Sequence, residues 1–243
     1  MKKLKYTLAI IMFPMLVFSQ QMPHYSLYML NDVVINPSLI SAKSDNQIAL
    51  MVRDQWTGFE GAPKTQSISY YNVEHQKFGR GIRIVNDNTG PISMLSGTVS
   101  GSYLIPIENR NKFSVGASAN ILQYKIENSN IILENDGVID PAMNGGLTDK
   151  VIGNSASLGF NYFSDKFNIG ASIINILNSN LNLSNTGLEN SLVNHYYFNA
   201  TYNFNTPEGM IISPSIMFKK VGASNVQMDI NLKTSLNSTI WAG

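Results

Sequence analysis

The sequence predicts an all-β chain: an antiparallel transmembrane β-barrel of outer-membrane type, about eleven strands of a larger even-stranded barrel of about 12–14. Three observations predict it. Strand-length segments alternate apolar and polar residues without a helix-period core beside them. Val226, Met228, Ile230, Leu232 and Leu236 share one face of a segment whose other face carries Gln227, Asp229, Asn231, Lys233 and Ser235. The polar faces are rich in Asn, Ser, Gly and Gln rather than Lys and Glu, as a lumen reads when the apolar side meets lipid. Charged residues make up only 14% of the chain, against roughly 25% in a typical soluble domain.

The elements follow in order. Lys2, Lys3 and Lys5 precede an apolar run from Leu8 to Phe18, and Val17 and Ser19 suit the −3 and −1 positions. Residues 1–19 therefore read as a secretory signal peptide cleaved after Ser19, leaving Gln20 at the mature end. The run is shorter than the roughly 20 residues a spanning helix needs, and no later segment resembles one. Residues 20–46 are not clearly strand-like, contain the turn signal Asn36-Pro37, and form an N-terminal periplasmic or plug-like segment. Residues 47–243 form the barrel domain, incomplete at its C-terminus. Strands are expected near 47–56, 65–73, 80–87, 93–105, 112–126, 154–163, 167–177, 194–204, 210–219 and 225–236, with a stub at 239–243.

Pro214 falls inside one of these strands. It lacks a ladder donor, which predicts an edge, a bulge or a strand end. Short connections at Ser164-Asp165-Lys166, Asn205 to Gly209 and Asn237-Ser238 alternate with long ones at Glu127 to Gly153 and Asn178 to Val193. With a periplasmic N-terminus, the long connections fall on the outer side, the arrangement of outer-membrane barrels. The chain stops at Ile240-Trp241-Ala242-Gly243 just as another strand begins, so it reads as a fragment of a longer product.

Composition excludes several chemistries. There is no Cys, which removes disulfides, thiolate metal sites and acylation at Cys. The net charge of +1 gives no nucleic-acid footprint. A mean hydropathy of −0.04 rules out a helical membrane protein but not a barrel, whose apolar residues are hidden in alternation. His24, His75 and His195 lack a metal-ligand spacing. Asp136, Asp140, Asn144 and Asp149 lie in the long Glu127–Gly153 stretch but do not match a calcium-binding loop. No nucleophile elbow occurs. The strand glycines Gly116, Gly159 and Gly170 read as positions of bending and close packing. No cofactor, metal or catalytic residue is expected, and the chain is read as non-enzymatic.

The distinctive signature is Gln55-Trp56-Thr57-Gly58-Phe59-Glu60-Gly61-Ala62-Pro63-Lys64-Thr65, followed by Asn86-Asp87-Asn88-Thr89-Gly90-Pro91. With Tyr25-Ser26-Leu27-Tyr28, Asn36-Pro37-Ser38, Asn194-His195-Tyr196-Tyr197 and Trp241-Ala242-Gly243, it resembles the PorP/SprF family across the whole mature chain. Those are outer-membrane proteins of the type IX secretion system and gliding machinery of the Bacteroidetes. The resemblance implies a component that supports secretion or surface attachment of specific large substrates such as adhesins. It implies outer-membrane lipid, periplasmic and peptidoglycan-linked secretion components and a large secreted surface protein as partners, and no nucleic acid. Within the hairpin, Trp56 and Phe59 suit an aromatic girdle at the membrane interface. Glu60 and Lys64, long charged side chains on a rim loop, are the candidates for partner contact. Two other functions compete: an outer-membrane transporter for small solutes, which the polar lumen set allows, and a soluble β-sandwich used in adhesion, which would need two apolar faces packed together.

Overall fold

The structure, a computed structural model, describes residues 31–43, 46–108, 110–127, 148–177, 179–181, 191–207, 209–236 and 240–243. The expected signal peptide lies outside them. Two short 3-10 helices, η1 (Asp32–Val34) and η2 (Pro37–Ala42), precede the strands. The strands are β1 (Gln47–Asp54), β2 (Lys64–Glu74), β3 (Phe78–Thr89), β4 (Ile92–Pro106), β5 (Lys112–Glu127) and β6 (Thr148–Phe163). They continue as β7 (Phe167–Ile174), β8 (His195–Tyr202), β9 (Phe204–Asn205), β10 (Met210–Val221), β11 (Gln227–Leu236) and β12 (Ile240–Ala242).

All twelve belong to one antiparallel sheet, in which strands pair in sequence order except that β8 and β9 both pair with β10. The path passes through eleven strands, with β9 a two-residue continuation of β8 on the side of β10. This is the up-and-down order of a membrane barrel, although β1 and β12 are not paired with each other. Among the described residues no helix is long and apolar enough to cross a membrane.

The two faces of the sheet are inverted relative to a soluble protein. On one face Ser114, Ser155, Ser157 and Asn161 are buried. On the other, Leu50 is 75% exposed, Ile121 65% and Ile230 72%. Leu158, Phe160, Ile169, Ile173, Phe198 and Leu232 lie on that exposed face, Leu232 with the apolar row read from the sequence. Register keeps it aligned: Ala117 faces Leu158, Leu158 faces Ile173, and Ala171 faces Phe198 across adjacent strands. Strands β5 and β6, each 16 residues long, exceed the roughly 9–11 residues that a tilted strand needs to cross a bilayer.

The polar face is covered from within by η1 and η2, which touch β2 through β6 and reach β7 through Ser172, whose hydroxyl donates to the Ile35 carbonyl. Asn36 caps η2. Its Oδ1 accepts from the Ser38 amide at 3.0 Å and the Ser38 hydroxyl at 2.7 Å, while its Nδ2 donates to the Phe160 carbonyl at 3.0 Å. The Ser41 amide donates to Ser102 Oγ at 2.8 Å. Val33, Leu39 and Ile40 complete the contact against Tyr71.

So close an approach needs missing side chains. A Cβ at Gly116 would stand 2.5 Å from the Ser38 amide nitrogen, one at Gly159 2.1 Å from Asn36 Oδ1, and one at Gly79 2.6 Å from the Ser41 amide nitrogen. The strand glycines are thus a seat for η2, a specific form of the close packing expected of them.

Three sequence expectations are corrected. β6 begins at Thr148, not near 154, because its first residues pair with Tyr124 to Glu127 and lengthen the hairpin. The strand expected to reach 177 ends at Ile174, where Asn175 takes a positive φ of 61°. Pro214 sits neither at an edge nor at a strand end. It pairs with Leu232 inside β10, and the ladder to β8 and β9 lapses beside it, between Thr201 and Phe204. Ser157, on the polar face, is 5% exposed and lies beside the η segments.

Two outcomes follow. Leu158→Arg should cost roughly 2–4 kcal/mol at the bilayer midplane and abolish heat-modifiable mobility of the membrane fraction, whereas Asn231→Arg, on the polar face of β11, should leave it unchanged. Gly159→Ala should destabilise by about 1–3 kcal/mol through overpacking, while Gly97→Ala, whose Cβ would meet nothing within 4 Å, should be nearly neutral in denaturant unfolding.

Candidate functional site

The strand connections divide into two ends. At one end lie the short connections after β2, β4, β6, β9 and β11. At the other lie the connections after β1, β3, β5, β7 and β10, which include the long ones. The signature hairpin belongs to this second end. The Gln55 amide donates to the Pro63 carbonyl at 3.0 Å, and the Phe59 amide to the Trp56 carbonyl at 3.1 Å. Trp56 and Gly58 take positive φ of 50° and 102°, so the chain turns sharply and both aromatic rings are thrown outward. Trp56 is 70% and Phe59 77% exposed.

The structure brings the two signature motifs together. The Gly90 amide donates to the Gly61 carbonyl at 2.8 Å, fastening the β1–β2 hairpin to the β3–β4 turn. Gly61 has a φ of 73°, and a Cβ there would lie 3.2 Å from Gly90 Cα. Thr65 Oγ1 donates to Asp87 Oδ1 at 2.5 Å one step into the strands. The Glu127 amide donates to the Pro91 carbonyl at 2.9 Å, extending the junction to β5. Two motifs far apart in sequence are therefore one rim platform, with Trp56, Phe59 and Glu60 at its crest.

Lys64 stands differently from its expected loop position. It is the first residue of β2, paired with Asp54 and Asn88. It belongs to the exposed row that continues through Ile68 and Tyr70. Its ammonium thus sits at the upper margin of the apolar face, where a long side chain reaches headgroups while its stem stays on apolar surface.

The aromatic belt at the opposite end was missed in the sequence. Phe78 faces Tyr103, Phe113 faces Tyr162 and Phe167 faces Tyr202 across neighbouring strands, all near the tight turns. Ring centroids lie 5.7 Å apart for Tyr162 and Phe167 and 4.6 Å for Tyr202 and Phe204. Arg80 joins the belt over the Phe78 ring and pairs with Glu74 at 2.7 Å. Such girdles mark the height of a membrane interface. The signal was available: aromatics recur on the apolar parity within the last residues of several strands.

The other candidates do not assemble. His24, Asp136, Asp140 and Asn144 lie outside the described residues, and Asp149 is on β6 opposite Ile126. His75 is in the β2–β3 turn, 3.9 Å from Glu74, while His195 is buried on the polar face beside Tyr197. Among the described residues no group of three or more His, Asp or Glu could hold a metal ion.

An up-and-down antiparallel sheet with an apolar outside, a polar inside, an aromatic belt and a fastened rim defines a membrane protein built on strands. A family model described as "Type IX secretion system membrane protein PorP/SprF" matches residues 17–243. The chain belongs to that family. No curated protein matches it.

Replacing both Trp56 and Phe59 by Ala should weaken anchoring of the rim. We expect a loss of about 1–3 kcal/mol in bilayers, the scale for burying one large apolar side chain, and a smaller loss in detergent. Unfolding titrations in the two media make the comparison.

Proposed function

We propose that the protein is a non-enzymatic outer-membrane component of the type IX secretion and gliding machinery. It is exported by the signal peptide at 1–19, inserts as a barrel over 47–243, and supports secretion or surface attachment of specific large substrates such as adhesins. The observation that carries the membrane part is the inversion of the faces, with Ile230 72% exposed and Ser114 fully buried. In water that exposed apolar face would be far larger than a soluble monomer tolerates; in lipid it is the required surface. The match to the secretion family supports the role.

A component of this kind acts by docking. Outer-membrane lipid meets the apolar face. Periplasmic and peptidoglycan-linked secretion components have access to the tight-turn end, and the large secreted protein meets the end that bears the rim. Glu60, exposed and charged at the crest of that rim, is its residue best suited to partner contact, and Lys64, at the margin of the apolar face beside it, is the second candidate, while Trp56 and Phe59 face the interface.

Deleting the gene should abolish surface display of one or a few large secreted proteins and leave general nutrient uptake unchanged. In the intact protein, Glu60→Ala with Lys64→Ala should preserve barrel abundance and reduce substrate secretion by about tenfold, the worth of a charge-assisted contact or two. Immunoblots of the membrane fraction and of the cell surface read the two quantities separately. Unchanged secretion in the double variant would place docking elsewhere. Unchanged secretion after deletion would overturn the assignment itself.

A further inference from the structure

The outward face of the sheet is mainly apolar, but at the tight-turn end of β2 and β3 it carries a polar cluster. Asn72, Glu74 and Arg80 share the strand parity of Ile68, Tyr70 and Ile82, so they lie on the face that meets lipid. Hydrogen bonds join them. Arg80 Nη2 donates to Glu74 Oε2 at 2.7 Å and to Asn72 Oδ1 at 3.4 Å, and Asn72 Nδ2 donates to Asn46 Oδ1 at 2.8 Å. The guanidinium also stands over the Phe78 ring, 5.9 Å from its centre. Along the register beyond Arg80 the row becomes Gly101, Ala117, Leu158 and Ile173, with no polar side chain.

Depth makes the cluster unusual. Phe78 and Tyr103 belong to the aromatic belt, and Arg80 is two residues further toward the middle of the sheet. At roughly 3.3 Å per residue that is about 6–7 Å along the strand. Ionisable groups so placed are costly and rare, and they mark sites whose partner has to be named.

Both members of the ion pair keep bonding capacity. Among the described residues both hydrogen bonds of the guanidinium run from Nη2, which leaves Nε and Nη1 as donors. Glu74 spends Oε2 on Arg80, while Oε1 faces His75 Nδ1 at 3.9 Å, beyond hydrogen-bond reach. Gly101, opposite Arg80 on β4, carries no side chain, and a Cβ there would meet nothing within 4 Å. The cluster is therefore open toward the bilayer. A phosphodiester matches the guanidinium fork, and a primary ammonium matches the carboxylate oxygen. A headgroup that joins the two answers both charges at once. A purely anionic headgroup would set its charge against Glu74, and a quaternary ammonium has no N–H to donate.

We propose that Arg80 and Glu74 form a binding site for a zwitterionic phospholipid of the phosphatidylethanolamine type, in the leaflet at the tight-turn end. The phosphate takes Arg80 Nε and Nη1, the ammonium takes Glu74 Oε1, and an acyl chain runs along the apolar face past Gly101. Asn72 and Asn46 hold the guanidinium from the other side. This site rests on the reading of the apolar face as lipid-facing, and it needs no role in secretion.

The test uses the whole mature chain, purified from membranes in detergent. Phosphatidylethanolamine, phosphatidylcholine and phosphatidylglycerol with identical acyl chains are added in equal amounts, and native mass spectrometry counts the lipids retained. We expect phosphatidylethanolamine to be retained several-fold above the other two. Arg80→Gln should lower its retention about tenfold, the worth of a hydrogen bond to a charged group, with Arg80→Lys intermediate. Glu74→Gln should abolish the preference for phosphatidylethanolamine and raise phosphatidylglycerol above it. Lys166→Gln, which removes a cation at the same end but outside the cluster, should leave the preference intact. Heat-modifiable mobility checks that each variant is folded, and should Arg80→Gln fail to fold, Glu74→Gln decides alone. Equal retention of the three lipids by folded wild type overturns the proposal, as does a preference that survives in folded Glu74→Gln. A chain recovered outside the membrane fraction would overturn the lipid-facing reading itself, and this site with it.

Discussion

The structure depends on one contact: η2 seated against the inner wall of the sheet. Asn36 is the node of that contact, 1% exposed, with its amide spent on the Phe160 carbonyl and its oxygen on Ser38. A buried side-chain amide left unpaired costs roughly 1–3 kcal/mol, so this bonding admits a single placement. The walls are shaped to match, since three strands present hydrogen where any other residue would present a Cβ into the segment. Sheet and segment therefore specify each other. A strand slipped by one residue would turn its glycine outward and bring a larger side chain onto Ser38 or Asn36.

That mutual specification explains how a sheet with polar filling holds one register. A soluble sandwich fixes register by burying apolar side chains between its layers. Here the apolar row faces outward, and lipid accepts any arrangement of it equally well. Discrimination has to come from the inside. It comes from hydroxyls and amides with fixed partners: Ser41 on Ser102, Ser172 on Ile35, Tyr71 on Asn31 at 3.0 Å. The apolar face supplies insertion, and the polar face supplies uniqueness.

The strands were legible because period-two alternation is strong wherever one face is apolar, and Phe198, Leu158 and Ile230 all fall on the face their parity predicts. What alternation could not show is where pairing continues past it. Residues 148–153 read as the end of a long connection, yet the β5–β6 ladder runs on through them, beside the Lys125–Glu127 pair at the rim. Pro214 misled in the other direction. Its missing donor costs only the bond toward β8, and the antiparallel ladder needs no donor from it toward β11. Of the rim residues, the hairpin turn was readable from Gly58, Gly61 and Pro63, but its attachment to Gly90 was not. A backbone bond between two glycines leaves no side-chain signature.

The two ends of the sheet are thereby given different physical jobs. The tight-turn end carries the aromatic belt, the Arg80–Glu74 pair and, just inside, the seat of η2. Every one of these contacts fixes position relative to the bilayer or to the sheet itself. The long-loop end has a rim held by backbone hydrogen bonds, so its side chains are not consumed in holding it. Gly61, Gly90 and Pro91 do the fastening through amides and carbonyls, which leaves Glu60 projecting beside the interface-facing Trp56 and Phe59. A platform whose backbone is already fastened loses little backbone entropy on meeting a partner. That economy, rather than any single residue, is what favours the rim in the proposed docking role.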